Sequence, residues 1–245
     1  MEPKIAAQII ALNSEFYQTF ASNFAATRMR LQPGVLRILE DVSPDANILD
    51  LGCGNGELAR ELVRRKHRGS YLGLDFSSEL LDLAQRGIAG YENFRFAQVD
   101  LSDPGWHSPF TIPHSTFTII TAFAVLHHLP GRGLRLQTLK NMRGLLQAQG
   151  RFIHSNWQFL NSAKLRARIQ PWNEIGLTDA SVDPGDYLLD WRQGGRGLRY
   201  VHHFSEAELA SLAEETGFET IDSFLSDGEG GNLGLYQVWE LKREM

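Results

Sequence analysis

The chain reads as a doubly wound α/β fold with a mostly parallel sheet, and three observations predict it. Short apolar runs alternate with amphipathic stretches of helical period over residues 47–155. A glycine-rich turn, Gly52-Cys53-Gly54-Asn55-Gly56, joins the apolar run Ile48 to Leu51 to a helix-forming stretch, Leu58 to Val63. Three acids, Asp50, Asp75 and Asp100, fall at three successive strand ends, on the edge of an open sheet where ligands bind.

Residues 5–28 have the period of a helix, because Ile9, Leu12, Phe16, Phe20 and Phe24 recur at three- and four-residue steps. Pro33 suits the first turn of a second helix over residues 33–40. Ser43-Pro44-Asp45 is a turn into the first strand, 47–51, and a helix follows over 56–66. The second strand is 70–75, after which Ser77 caps a helix running to about residue 88. The third strand is 93–99, and a loop rich in Pro, Ser and His leads to the fourth, 117–121. His127 to Pro130 connects to a helix over 134–147, and 150–155 is the fifth strand. The rhythm then breaks until a helix at 205–216 and strands at 219–225 and 235–241. The last two strands, linked through Gly228-Glu229-Gly230-Gly231-Asn232, read as an antiparallel C-terminal hairpin at the sheet edge. One domain of 245 residues is expected: N-terminal helices 1–44, a ligand-binding half 45–156, an insertion 157–204, and a C-terminal helix and strands 205–245. The insertion and the N-terminal helices are expected to form a helical cap over the sheet's carboxyl edge.

With 42% hydrophobic and 22% charged residues, the chain can bury a sizeable core. No run approaches the roughly 18 apolar residues of a membrane span, and Met1-Glu2-Pro3-Lys4 lacks the layout of a signal peptide. A single cysteine, Cys53, cannot form an internal disulfide, so a reducing, cytoplasmic setting is expected. The net charge of −5 is unevenly spread. Residues 104–173 contain no Asp or Glu and eight Lys or Arg, so this segment carries +8 and the remainder −13. Such asymmetry fits either an anionic partner or ordinary solvated helix faces.

The glycine spacing is G-x-G-x-G, unlike the G-x-G-x-x-G of dinucleotide sites, and an acid at the strand end repels phosphate and attracts a cation. The stretch Asp50 to Gly56 resembles motif I of the class I S-adenosylmethionine-dependent methyltransferases, whose cofactor carries an ammonium and a sulfonium and no phosphate. The resemblance implies a Rossmann-like methyltransferase sheet and S-adenosyl-L-methionine as cofactor. It implies a site at Asp50, Gly52, Cys53, Gly54 and Gly56, with Asp50 facing the ammonium directly or through water. Asp75, beside Phe76, is then the ribose acid, and Asp100, beside Leu101, meets the adenine amino group. Ala122-Phe123-Ala124-Val125-Leu126-His127-His128-Leu129 resembles the segment that walls the methionine side, which assigns Ala122, Phe123 and His127 to the cofactor. The adjacent histidines are not expected to bind metal: helix neighbours point about 100° apart, and no Cys or acid lies close by in the sequence.

The acceptor side is less constrained. Phe16-Tyr17 through Phe24-Ala25-Ala26-Thr27-Arg28 resembles the first helix of the wobble-uridine tRNA methyltransferases, which esterify a carboxymethyl group on the anticodon base. Arg199-Tyr200-Val201-His202-His203-Phe204 resembles a C-terminal segment of the same enzymes, as do Gly185-Asp186-Tyr187-Leu188-Leu189-Asp190-Trp191 and Gly231-Asn232. The glycine-rich approach to the final strand, residues 227–234, is longer than in that family. A carboxylate is already ionised at neutral pH and needs no general base. It needs cationic and hydrogen-bonding groups to orient it, and Arg28, Arg199, Tyr200 and His202 fit that requirement. The resemblance further implies tRNA as partner, through the basic 104–173 segment, and a small zinc-containing activating protein. Two alternatives stay open: a small-molecule O- or N-methyltransferase, with His127, His128, His202 or His203 as base, and a non-catalytic cofactor-binding protein. Trp157, Trp172 and Trp191 are either stacking surfaces for a base or cap core.

Overall fold

A computed structural model describes residues 1–26, 30–110 and 117–242, with only the backbone of 21–26. Arg28 and residues 111–116 of the loop before the fourth strand lie outside the described residues.

Among the described residues, ten strands and seven α-helices follow the expected rhythm through the first half. They are α1 (Pro3–Ala26), α2 (Pro33–Ile38), β1 (Ile48–Leu51), α3 (Glu57–Arg64), β2 (Tyr71–Asp75), α4 (Ser78–Gly87), β3 (Phe94–Gln98), β4 (Phe117–Phe123), α5 (Arg132–Leu145) and β5 (Leu146–Trp157). The second half holds α6 (Ala163–Arg166), β6 (Ile169–Gln170), β7 (Asp186–Trp191), β8 (Gly197–His202), α7 (Glu206–Glu215), β9 (Phe218–Ser226) and β10 (Gly234–Leu241). The main sheet has seven strands in the order β3-β2-β1-β4-β5-β10-β9. The first five are parallel, and β10 pairs antiparallel with both β5 and β9. This is the Rossmann-like arrangement, with its order reversing between β1 and β4 where a crevice opens.

Alternation along each strand splits the core between the two sheet faces. Leu49, Leu51, Ile120 and Phe152 pack with Leu139, Met142 and Leu212 of α5 and α7. Ile48, Ile119 and Ile153 pack with Val35, Leu58 and Leu62 of α2 and α3. The α4 start matches its sequence signal: the Ser77 hydroxyl accepts from Leu80 N. Among the described residues, no helix is long and apolar enough to cross a membrane.

The insertion differs from the expected helical cap. It folds mainly as a three-stranded antiparallel sheet, β6-β7-β8, with α1 lying against β8. β7 and β8 pair along their whole lengths, Asp186 to Trp191 against Gly197 to His202, across a short Arg192 to Arg196 connection rich in glycine, and Tyr200 and Val201 suit a pleated strand. β8 is an edge strand, and α1 covers it. The Asn13 side-chain carbonyl accepts from Tyr200 N at 2.8 Å while its amide donates to Tyr200 O at 3.3 Å. One side chain thus satisfies both backbone groups of an edge position that α1 buries.

Candidate active site

Between β1 and α3 the chain takes positive φ at Gly52 (64°), Gly54 (55°) and Gly56 (81°), a region that a Cβ disfavours. A Cβ on Gly52 would stand 2.5 Å from the Val125 side chain, whereas one on Gly54 would meet nothing within 4 Å. Gly54 therefore presents bare backbone to the space beyond the sheet edge. That space is a cavity of about 580 Å³, the size of a small-ligand site.

The acids converge on it, from different positions relative to their strands. Asp75 closes β2; its Oδ2 accepts from Gly54 N at 2.9 Å and its Oδ1 from Ser77 N at 3.0 Å. Burial pushes its carboxyl pKa up, and the backbone donors oppose that shift. Asp50 lies inside β1 rather than at its end, 3% exposed. Its Oδ1 accepts from the Thr121 hydroxyl at 2.7 Å and its Oδ2 from the Tyr71 hydroxyl at 2.6 Å. Burial raises its pKa to about 6 against those two donors, and the neighbouring Asp75 adds to the rise. Asp100 lies beyond the end of β3, exposed, and its Oδ1 accepts from Ser102 N at 2.8 Å. Burial raises the Cys53 thiol pKa, with Asp50 and Asp75 adding, which makes this a neutral, unreactive thiol.

Of the sequence-derived candidates, Asp50, Gly52, Cys53, Gly54, Asp75, Phe76, Asp100, Leu101, Phe123, His127 and Arg199 line the cavity. Gly56 does not line it; it begins α3 as the N-cap. Ala122 is fully buried within β4. Tyr200 and His202 do not line it either. The Tyr200 hydroxyl donates to Asp186 Oδ1 at 2.7 Å, and His202 bridges Asp186 (2.6 Å) and Glu208 (2.9 Å) in a buried network with Arg135. Arg199 and Tyr200 part company because successive side chains of a strand point to opposite faces.

Several lining residues carried no separable signal in the sequence. Tyr17 projects from α1, its hydroxyl 2.7 Å from His128 Nε2. His128 Nδ1 lies 3.3 Å from Tyr200 O, which makes Nδ1 the donor and Nε2 the acceptor for Tyr17. Asn13 and Tyr236 stand out in no sequence pattern, Tyr17 entered only through the resemblance of the first helix, and tertiary packing turns all three toward the cavity. Ala124 holds φ 59°, rare for a residue with a Cβ, at the chamber wall where its N–H meets Ser155 O at 3.0 Å. Trp157 lines the cavity, while Trp172 and Trp191 are buried in cap clusters. Among the described residues, no group of three or more His, Cys, Asp or Glu is placed to hold a metal.

Arg199 also lines the cavity. It is 7% exposed, and its guanidinium carbon lies 4.8 Å from the Trp157 ring centre, 5.5 Å from Trp191 and 5.6 Å from Phe16. Its buried Nε has no hydrogen-bond partner, and no described carboxylate pairs with it. A buried guanidinium whose described neighbours are aromatic faces retains donors that can pair with an anion.

The residues present fit an S-adenosylmethionine-type ligand: open backbone at Gly54, acids along one edge, and a nucleoside-sized cavity. Comparison with known proteins agrees. Residues 49–152 match the family model described as a methyltransferase domain. The demethylmenaquinone methyltransferase of Lactobacillus johnsonii is 33% identical over 191 residues, covering 71% of this chain and 68% of that protein. The Mus musculus protein named Probable tRNA methyltransferase 9B is 23% identical over 160 residues, covering 64% of this chain and 32% of that protein. A crystal structure of an S-adenosylmethionine-dependent methyltransferase from Methanosarcina mazei superposes with a TM-score of 0.65 at 22% identity, covering 88% of this chain and all of that one. The chain belongs to the S-adenosylmethionine-dependent methyltransferases.

Proposed function

We propose that this enzyme methylates a carboxylate, and that the carboxylate belongs to a carboxymethyl-type modified wobble uridine in tRNA. The observation that carries the reading is Arg199: a buried cation in the chamber, caged by aromatic rings and lacking an acidic partner among the described residues. The bound cofactor supplies an electrophilic methyl on a sulfonium. With the cofactor bound, the acceptor carboxylate would take that methyl on one oxygen, the sulfur leaving as a neutral thioether, and no proton would need to move. Arg199 holds the other oxygen and aims the attacking one, so the enzyme's contribution is positioning. Trp157 offers a flat face beside that site on which a base can stack. In the same reading Asp75 holds the ribose hydroxyls, Asp100 the adenine amino group, and Asp50 the cofactor ammonium.

Tyr200 and His202 have no part in this scheme, and the Tyr17–His128–Tyr200 chain occupies His128 in holding α1. The resemblance of the first helix and of residues 199–204 to wobble-uridine enzymes supports the tRNA acceptor, as does the partial match to the mouse protein. A free small-molecule acceptor is the second reading, favoured by the demethylmenaquinone relative.

The test is mass spectrometry of tRNA nucleosides from cells with and without the protein, followed by transfer assays on tRNA carrying 5-carboxymethyluridine. The expected result is loss of the methyl ester in the deleted cells and its formation in vitro. An unchanged ester pool, together with no transfer to the purified tRNA even beside a small zinc-containing partner protein, would sink the tRNA reading.

A further inference from the structure

The glycine-rich connection between β9 and β10, residues 227–234, has no part in the scheme above. Asp50 and Asp75 belong to β1 and β2, whereas β10 lies two strands beyond β4. Asp227, Gly234 and Tyr236 nonetheless line the same cavity. Tyr236 stands opposite Ser155 and Gly234 opposite Trp157, so this wall is one strand away from the Trp157 face.

Three chain segments meet in the wall through Asp227. Its Oδ1 accepts from Gly34 N in the first turn of α2 at 3.0 Å, and its Oδ2 accepts from the Tyr236 hydroxyl at 2.6 Å. Tyr236 is 1% exposed, stacked on Phe224 with ring centres 5.1 Å apart and tilted against Phe123 at 6.2 Å. Two glycines leave room for this arrangement. A Cβ on Gly34 would stand 2.3 Å from the Tyr236 ring, and one on Gly234 would stand 2.7 Å from the Asp227 carboxylate. Leu31 and Val35, on either side of Gly34, line the cavity too, so the clasp sets where α2 stands against it. Asp227 itself holds φ 71°, a left-handed conformation uncommon for a residue with a Cβ. Strain of this kind persists where the surroundings over-determine it, and it clusters at ligand clamps. Glycine at 227 would relieve the strain and form neither bond.

We propose that the clasp is a specificity element: the Tyr236 ring is the surface that the body of the acceptor meets, and Asp227 is the positioning residue that ties this ring to α2. The inference rests on the carboxylate reading above and adds a limit on length. With the carboxylate held by Arg199 beside the cofactor methyl, a ring stacked on Trp157 lies next to the wall. Each methylene added between carboxylate and ring drives the ring against Tyr236. The chamber therefore takes rings that carry a carboxymethyl group and rejects their longer homologues.

The experiment measures methyl transfer to homologous acids. One series is 5-carboxymethyluridine, 5-(2-carboxyethyl)uridine and 5-(3-carboxypropyl)uridine; the other is phenylacetic, 3-phenylpropanoic and 4-phenylbutanoic acids. Wild-type enzyme, Asp227→Gly, Asp227→Asn and Tyr236→Phe are compared, with calorimetric binding of S-adenosylhomocysteine as the control for intact cofactor binding. One methylene against a packed wall is worth about tenfold or more in kcat/KM, and wild type is expected to prefer the shortest arm of a series by that factor. Asp227→Gly keeps the turn and loses both bonds; it is expected to bring the ratio to about one while S-adenosylhomocysteine affinity stays within about twofold. Tyr236→Phe keeps the ring and loses one bond, and it should lower the ratio part of the way. Asp227→Asn should retain the wild-type ratio. Asparagine tolerates the left-handed backbone, its amide oxygen can accept from Gly34 N, and its amide N–H can donate to the Tyr236 hydroxyl. A merely structural role would lower all acids equally and leave the ratio unchanged, and that result overturns the inference. So does an Asp227→Asn enzyme as unselective as Asp227→Gly. A wild type that methylates all arm lengths alike overturns it too, with the carboxylate reading intact. Failure of the uridines alongside length-selective turnover of the phenyl acids sinks the tRNA acceptor and upholds the clasp. An enzyme that methylates no acid of either series overturns the carboxylate reading and this inference with it.

Discussion

Arg199 and Asp50 are both buried charged groups in one chamber, and their surroundings give them opposite tasks. Arg199 has no counter-ion among the described residues, and in the proposed function a ligand anion completes it. Arg199→Met should keep the stem packing among Trp157, Trp191 and Phe16 and remove the charge. We expect kcat/KM to fall by about 10²-fold or more, as for loss of charge-assisted hydrogen bonds, with Arg199→Lys recovering only part. Steady-state kinetics check this, and undiminished turnover in Arg199→Met would remove the acceptor assignment. Asp50 is the reverse case: folding raises its pKa from 3.8 to about 6 by burial. Between about pH 3.8 and 6 the folded apoenzyme therefore holds a proton there that the unfolded chain has released. This contribution to stability is complete below pH 3.8 and lost as pH rises through about 6. A bound ammonium changes the sign by favouring the ionised carboxylate. The rise in Tm on adding S-adenosylmethionine should therefore grow between pH 5 and pH 7, and a pH-independent increment in scanning fluorimetry would count against an Asp50–ammonium contact.

At the scale of elements, β8 is tied to α7 through His202. Both of its ring nitrogens face carboxylates, Asp186 on β7 and Glu208 in the first turn of α7. Burial lowers its pKa, but the hydrogen bonds to Asp186 and Glu208 outweigh burial and the net direction is upward. The stability from the charged ring is thus fully present below the unfolded value of 6.5 and is lost as pH rises through the raised folded value. Denaturation midpoints should decline on the alkaline side of neutrality, and His202→Asn should flatten that decline while lowering stability at pH 6. The same elements explain what the sequence could and could not reveal. The glycine turn, Asp75 and the Ser77 cap were legible because their chemistry lies within a few residues. The division between Arg199 and Tyr200 was not, because it needs the pleat of β8, and β8 was expected in a helical cap. Tyr71 and Thr121, which hold Asp50, join through strand pairing 21 and 71 residues away. Asn13 and Tyr17 looked like any amphipathic face.

Across the whole molecule, the basic segment changes character once folded. Arg132 pairs with Glu215, Arg135 with Glu208 and Arg151 with Glu240, acids from α7 and β10 that no local reading of residues 104–173 would include. Lys140, Arg143, Lys164, Arg166 and Arg168 have no acidic partner among the described residues. An RNA docking on this segment can therefore neutralise about five phosphates rather than eight. The slope of log affinity against log salt should be about −3.5 or shallower on single-stranded RNA, and filter binding over a salt series checks it; a slope near −6 would mean that cations elsewhere take part. A last consequence follows from the pleat of β8. Neighbouring positions on one short strand should give variants that fail in different ways. Substitutions at Arg199 should produce a well-folded protein that is slow at every temperature. Substitutions at Tyr200, which cut the Asp186–Arg135 network, should produce a temperature-sensitive enzyme, near normal in the cold and failing on warming. Inactivity at 37 °C alone would make the two indistinguishable, and a genetic screen run at one temperature would place Tyr200 in the active site.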